Sequence, residues 1–429
     1  MTGSSLGALA GQFRQGRPKR GIAAICSAHP LVLRAAIAHA VRAGTAVLIE
    51  ATCNQVNHRG GYTGMLPADF AALVHAIAAD EDLPRERILL GGDHLGPNPW
   101  RKQDEESAMR EAEAMVTAYV AAGFTKIHLD ASMGCAGEPD GLDDETTAHR
   151  AARLAAAAEK AARKHGVTPP VYIIGTEVPP PGGADHVLSA IEPTGAAAAK
   201  KTIDVHRRVF EAAGLTDAFA RVIALVVQPG VEFGNGNVIL YDRAKAASLS
   251  EVLAREPQFV FEAHSTDYQG RRPLRALVED GFSILKVGPE LTFALREALY
   301  ALDLIASDLV EGYGERPLYH ALETAMMSEP ADWNRHYGGP PAEQRLQRHY
   351  SYSDRSRYYW AKPPVQAAVE RLFQALSGQV VPVTLLRQHL PSRLDLAGQR
   401  LDPAAVAQEA VERVVEDYHA ACHGGDKQQ

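Results

Sequence analysis

Eight short apolar runs recur through the first 300 residues, and stretches with helical patterning separate them. The runs cover 22–26, 46–49, 88–90, 126–129, 171–174, 222–227, 259–261 and 284–287. Most are continuously apolar rather than alternating, the pattern of parallel strands covered on both faces by helices. The intervals read as amphipathic or Ala-rich helices, as at 31–43, 67–79, 105–122 and 146–165. Eight strand–helix units in about 280 residues predict an α/β fold, a (β/α)8 TIM barrel. A doubly wound open sheet is the alternative, and it would usually carry a Gly-rich phosphate loop after its first strand. Here the first strand is followed by Ser27-Ala28-His29-Pro30, which favours the barrel.

After residue 287 the character changes. Pro289–Leu309 reads as a long final barrel helix, and 310–429 hold helical candidates at 342–349, 365–376 and 403–418. No long Ser/Gly/Pro linker intervenes. The expected organisation is therefore a barrel over 1–309 with an α-helical extension, 310–429, packed upon it. With 429 residues, 46% of them hydrophobic and 22% charged, the chain can bury a large core. A net charge of −8 argues against nucleic-acid and membrane-surface partners. No apolar run approaches the roughly 20 residues that span a bilayer, and no secretory signal is evident. Cys26, Cys53, Cys135 and Cys422 form no CxxC pair, so a reduced, cytoplasmic protein is expected.

The strand ends carry the chemistry. Strand 3 runs through Ile88-Leu89-Leu90-Gly91-Gly92 into Asp93-His94, an acid and an imidazole. Strand 2 ends in Glu50, strand 4 in Asp130, strand 5 in Gly175-Thr176-Glu177, strand 6 in Gln228, and strand 7 in Glu262-Ala263-His264-Ser265. Strand 8 carries Lys286 and ends in Gly288-Pro289. In a barrel these ends converge on one face. Each residue alone has a simpler reading, as a helix cap or a hydrogen-bonded loop residue. Acids and imidazoles abutting seven or eight apolar runs at the same end favour a site. His94, Glu177 and His264 form a metal-ligand set, with Asp130 a further ligand or the partner that orients an imidazole. Zinc suits two histidines and a carboxylate, and Mn²⁺ or Mg²⁺ are alternatives. Gly288 opens a helix whose N-terminus can bind phosphate. Arg271 after strand 7 and Arg355 in Ser353-Asp354-Arg355-Ser356-Arg357 are candidate phosphate contacts, with solvated surface charge as the simpler reading of each. Ser265 and Gln228 complete the expected substrate-binding set.

The segments CSAHPLV, LIEATCNQVNHRGGYTGM, GGDHLGPNPW, KIHLDASMGCAG, IGTEVP, VVQPGVEFGNGN, FEAHSTDYQ and SYSDRSRYYW resemble the Z-type subunits of class II D-tagatose-1,6-bisphosphate aldolases. The resemblance implies a barrel related to class II aldolases. Some members of that family are accessory subunits supporting a separate catalytic aldolase subunit. Others are metal-dependent 4-epimerases that interconvert tagatose 6-phosphate and fructose 6-phosphate. Some relatives bear the label tagatose-6-phosphate kinase, but no GxxxxGK[ST] occurs here and no nucleotide cofactor is expected. Asp93 and His94 resemble the acid-base Asp and metal-binding His of the catalytic aldolases. Retro-aldol chemistry on a ketose phosphate would then use Asp93 and Glu50 for proton transfer and Lys286 to stabilise negative charge. The expected partners are the sugar phosphate, an aldolase subunit in the accessory reading, and further copies of the chain.

Overall fold

The computed structural model describes residues 6–15, 19–175 and 191–424. Its strands are β1 (Ile22–Cys26), β2 (Val47–Thr52), β3 (Ile88–Leu95), β4 (Lys126–Leu129), β5 (Val171–Ile174), β6 (Val222–Val226), β7 (Glu232–Phe233), β8 (Val238–Ile239), β9 (Val260–Ala263) and β10 (Phe282–Val287). Eight of them close into a barrel, and β7 and β8 form a separate antiparallel ribbon. Every barrel pair is parallel, including the closing pair β1 and β10, where Ala24 stands opposite Lys286. The continuous apolar runs follow from this arrangement. One side of each strand fills the barrel and the other meets the helical ring, so both faces are buried.

β3 departs from the expectation of a strand ending at Leu90. It continues through Gly91 and Gly92 to Leu95. The glycines serve close approach there rather than a turn. A Cβ on Gly91 would lie 2.7 Å from Glu50 Oε1, and one on Gly92 would lie 2.6 Å from Leu95 Cδ1. Beyond them the pairing with β4 slips register between Gly92 and Leu95. His94 sits inside that slip with φ 50°, a left-handed conformation unusual for a residue with a side chain. Irregularities of this kind re-aim side chains at functional sites.

The ring helices begin where side chains can satisfy free amides. Asp104 Oδ1 accepts from Ser107 N at the start of Glu105–Ala121, and Asp143 Oδ1 accepts from Thr146 N at the start of Asp144–His165. After Pro289–Leu309 come Pro317–Ser328, Pro341–Tyr350, Pro363–Leu376, Val383–His389 and Pro403–His423. Proline opens four of these five, at the position where its missing N–H costs nothing. Pro317–Ser328 and Val383–His389 were not among the helices expected from sequence. Pro403–His423 packs along Pro30–Ala43, Arg271–Glu279 and Pro289–Leu309. Its Tyr418 hydroxyl donates to the Thr266 carbonyl at 2.7 Å, just past β9. Leu33 and Leu295 of the barrel helices share one continuous apolar core with Leu372 and Val411. Among the described residues no helix is long and apolar enough to cross a membrane.

Candidate active site

Charged side chains fill the barrel just below its C-terminal mouth. Lys126 Nζ lies 2.6 Å from Glu50 Oε1 and 2.7 Å from Glu262 Oε2, all three fully buried. Lys286 Nζ contacts Glu50 and lies 2.5 Å from Asp93 Oδ1. Two ammonium groups thus cross-link carboxylates from β2, β3 and β9. Burial disfavours a charged Lys286, but Asp93 and other acidic neighbours outweigh it and hold its pKa well above the ordinary lysine value. Burial likewise opposes ionisation of Asp93. The charges of His94 and Lys286 overcome that, so the carboxyl sits well below its usual range.

Three imidazoles stand over this floor. His94 Nδ1 lies 2.7 Å from Asp130 Oδ2. Burial alone would lower the His94 pKa, and Asp93 and Asp130 raise it above 6.5 instead. Asp130 is drawn the other way, to about 2, because its hydrogen bond to His94 outweighs burial. His264 Nε2 pairs with Glu262 Oε1 at 2.9 Å. Burial brings His264 down to about 3 against the pull of Glu262, which leaves a neutral ring. His128 Nε2 lies 2.9 Å from the Gly175 carbonyl, which can only accept, so that nitrogen carries the proton. Nδ1 is then the acceptor, taking the His94 amide at 3.2 Å and standing 3.0 Å from Asp93 Oδ1.

A cavity of about 880 Å³ opens above these groups. Asp93, His94, His264 and Lys286 face it from the barrel, while Tyr358, Trp360 and Phe373 wall it from the C-terminal helices. A family model for D-tagatose-1,6-bisphosphate aldolase subunits of the GatZ/KbaZ-like type matches residues 6–423. The chain belongs to the GatZ/KbaZ-like family. It is 61% identical over 417 residues to a protein of Agrobacterium fabrum named D-tagatose 6-phosphate 4-epimerase, covering 97% of this chain and 98% of that one. A crystal structure from Sinorhizobium meliloti, described as a probable tagatose 6 phosphate kinase, is 56% identical with a TM-score of 0.86, covering 94% of this chain and 100% of that one.

Within this GatZ/KbaZ-like barrel, the residues expected from sequence fall into two groups. Asp93, His94, Asp130, His264 and Lys286 converge on the cavity, with Glu50 directly beneath Lys286. Ser265 and Gly288 also line it. The Gly288 amide is already engaged, however. Asp267 Oδ1 accepts from Gly288 N at 3.0 Å and from Glu290 N at 2.8 Å, placing the chain's own carboxylate on the helix N-terminus expected to hold phosphate. Three further expected contacts lie elsewhere. Gln228 Oε1 is spent on the amides of Gly230 and Val231. Arg271 pairs with Asp417 at 2.7 Å on the surface, drawn there by Pro403–His423. Arg355 turns its Nε to the Asp332 carbonyl, and the arginine two residues on, Arg357, lines the cavity instead. Glu177 lies outside the described residues.

Sequence reasoning passed over Lys126 and His128, and it named Glu262 at the end of strand 7 without giving it a role. A signal existed for the first two. Lys126 and His128 alternate around Ile127 in a strand buried on both faces, so both point the same way, and a lysine does not enter a barrel without partners.

Donor atoms of Asp93, His94, His128 and His264 all lie within 4.8 Å of one another, the spacing of a metal-ligand set. Two further observations fit a divalent cation. The acceptor nitrogen of His128 faces a carboxylate oxygen at 3.0 Å, two electron-rich atoms that repel unless a cation or proton lies between them. Four carboxylates (Glu50, Asp93, Asp130, Glu262) meet two lysines, leaving two negative charges unbalanced when the imidazoles are neutral. Asp130 holding His94 through Nδ1 leaves Nε2 for coordination, the usual carboxylate–histidine support of a metal ligand.

Proposed function

We propose that this chain is a metal-dependent D-tagatose 6-phosphate 4-epimerase, interconverting tagatose 6-phosphate and fructose 6-phosphate by retro-aldol cleavage and reclosure. The observation that carries this reading is the 61% identity, across 97% of the chain, to a protein named for that activity. The geometry supports it independently. A ketose 6-phosphate is a β-hydroxyketone, with its carbonyl at C2 and a hydroxyl at C4. A divalent cation held by His94, His128 and His264, with zinc suited to this nitrogen-rich set, would supply Lewis-acid polarisation of the ketose oxygens. Asp93, ionised and facing the cavity, accepts the C4 hydroxyl proton. The C3–C4 bond breaks, its electron pair passes towards C2, and C4 becomes an aldehyde. Lys286, beside Asp93, stabilises the negative charge that develops on the enediolate half. The walled cavity retains both fragments. The aldehyde turns, C3 attacks its other face, and Asp93 returns the proton to the new C4 oxygen. Bonds and protons balance, and no co-substrate is consumed.

The test is turnover of fructose 6-phosphate by the purified chain, stripped of metal and then supplied with Zn²⁺, Mn²⁺ or Mg²⁺. Tagatose 6-phosphate should form without free triose products. Asp93→Asn should lower kcat by about 10²–10⁴, the span of a lost general acid–base group. No epimer under any of the three metals overturns the reading.

A further inference from the structure

The cations on the cavity wall are not equivalent. Lys286 is held by Glu50 and Asp93. Arg101 is paired with Asp140 at 2.8 Å. Arg357 has no carboxylate within ion-pair distance among the described residues. Its Nη1 donates to the carbonyls of Ser353 and Asp354, and its Nη2 donates to the Tyr358 hydroxyl at 3.0 Å. That leaves Nε–H and one Nη2–H with no partner shown among the described residues, two donors of one planar group. Such a pair matches the spacing of two oxygens on a phosphate.

The turn that carries Arg357 is fixed in advance. Asp354, at φ 38°, starts it. Its carboxylate is clamped by Arg296 of Pro289–Leu309 at 2.8 Å and by the Ser356 hydroxyl at 2.8 Å, all three buried. The same helix begins at β10, beside Lys286, so the clamp ties the outer wall to the barrel floor. The competing anion site is closed, because Asp267 occupies the amides of Gly288 and Glu290. A phosphate placed there would meet a carboxylate.

We infer that Arg357 anchors the phosphate of the sugar substrate, making the C-terminal extension the element that selects a phosphorylated ketose. This rests on the ketose 6-phosphate reading for the identity of the sugar, though not for the anion. The substrate then spans the cavity, with its phosphate on the helical wall and its carbonyl end over the histidines.

Calorimetric titration of the full-length protein with fructose 6-phosphate, and separately with inorganic phosphate, tests the anchor without requiring turnover. Arg357→Gln should weaken fructose 6-phosphate at least about tenfold, the cost expected for one lost charge-assisted pair. Heat from inorganic phosphate should disappear. Arg357→Lys should recover part of the affinity, since it restores the charge without the fork. In kinetics, KM should rise more than kcat falls, and the preference for fructose 6-phosphate over free fructose should shrink by a similar factor. Loss of a structural contact alone would not shift that preference. Unchanged affinity in folded Arg357→Gln overturns the anchor. If that variant does not fold, unchanged affinity in Arg357→Lys does so. Binding through Arg357 with no turnover by the parent chain would keep the anchor and remove the epimerase reading. Turnover unaffected by either substitution would do the reverse.

Discussion

Gly96 shows how tightly single positions govern this site. A Cβ placed there would lie 1.6 Å from the carbonyl oxygen of Asp130 and 2.7 Å from its carbonyl carbon. Those atoms are backbone and cannot swing aside as a flexible side chain would. Gly96→Ala must therefore push β3 and the Asp130 segment apart, and Asp130 is the carboxylate that orients His94. The expected result is a loss of about 1–3 kcal/mol of stability from overpacking, together with a fall of roughly 10–100-fold in metal affinity, the usual cost of disturbing a ligand's supporting partner. Metal titration and denaturant unfolding of the variant measure the two effects, and unchanged metal affinity would separate Gly96 from the site. At this scale the sequence was informative where a residue broke a pattern. Asp93 and His94 stand out because they interrupt an apolar strand. Lys126 and His128 break their strand just as plainly, yet they stand at its first and third positions rather than at its C-terminal end. Reading strand ends alone therefore leaves out Lys126, the lysine that bridges Glu50 and Glu262.

The elements of the extension are joined through buried polar contacts as well as apolar ones. His349, at the end of Pro341–Tyr350, lies fully buried with the Tyr300 hydroxyl 2.6 Å from Nδ1 and Glu323 Oε2 3.0 Å from Nε2, its ring stacked 3.8 Å from Tyr319. Three helices meet at this ring. Burial lowers its pKa to about 4 despite the nearby Glu323, against 6.5 for an ordinary histidine. Between those values the unfolded chain takes up a proton that the folded chain refuses. The unfolded state then binds more protons, so stability rises with pH across the window and is lost on acidification from 6.5 towards 4. The loss from this one group is at most roughly 3 kcal/mol. His349→Gln should be less stable than the parent at pH 7.5 but show a shallower decline of thermal midpoint below pH 6.5. Parallel declines would assign the acid sensitivity to other groups. None of this was legible beforehand. Strand and helix positions follow from local patterning, and most fell within a few residues of expectation. A three-helix junction depends on residues some 25 to 50 positions apart, for which periodicity carries no signal.

At the scale of the whole molecule, the barrel was readable because its eight repeats carry the same local pattern, and closure of the ring adds no further sequence requirement. The cavity was not, because its far wall comes from Arg357, Tyr358 and Trp360, more than 260 residues beyond Asp93. Electrostatics connects the two halves. The barrel mouth gathers carboxylates from four strands or strand ends around two lysines, and folding must bring these like charges together. A divalent cation bound at the proposed site would relieve that repulsion only in the folded state, since the proposed ligands are dispersed along the chain when it is unfolded. Ligand linkage then requires metal to stabilise the fold. At a free metal concentration one hundred times Kd the gain is about 2.7 kcal/mol. For a chain of this length that corresponds to a rise of roughly 3 °C in thermal midpoint. The metal-stripped protein should recover this rise on addition of Zn²⁺ or Mn²⁺, and His94→Asn should abolish it while leaving the stripped protein's own midpoint little changed. A midpoint indifferent to every divalent ion would mean that the unbalanced carboxylates are neutralised by protons, and the three imidazoles would then be a hydrogen-bonded cluster rather than a ligand set.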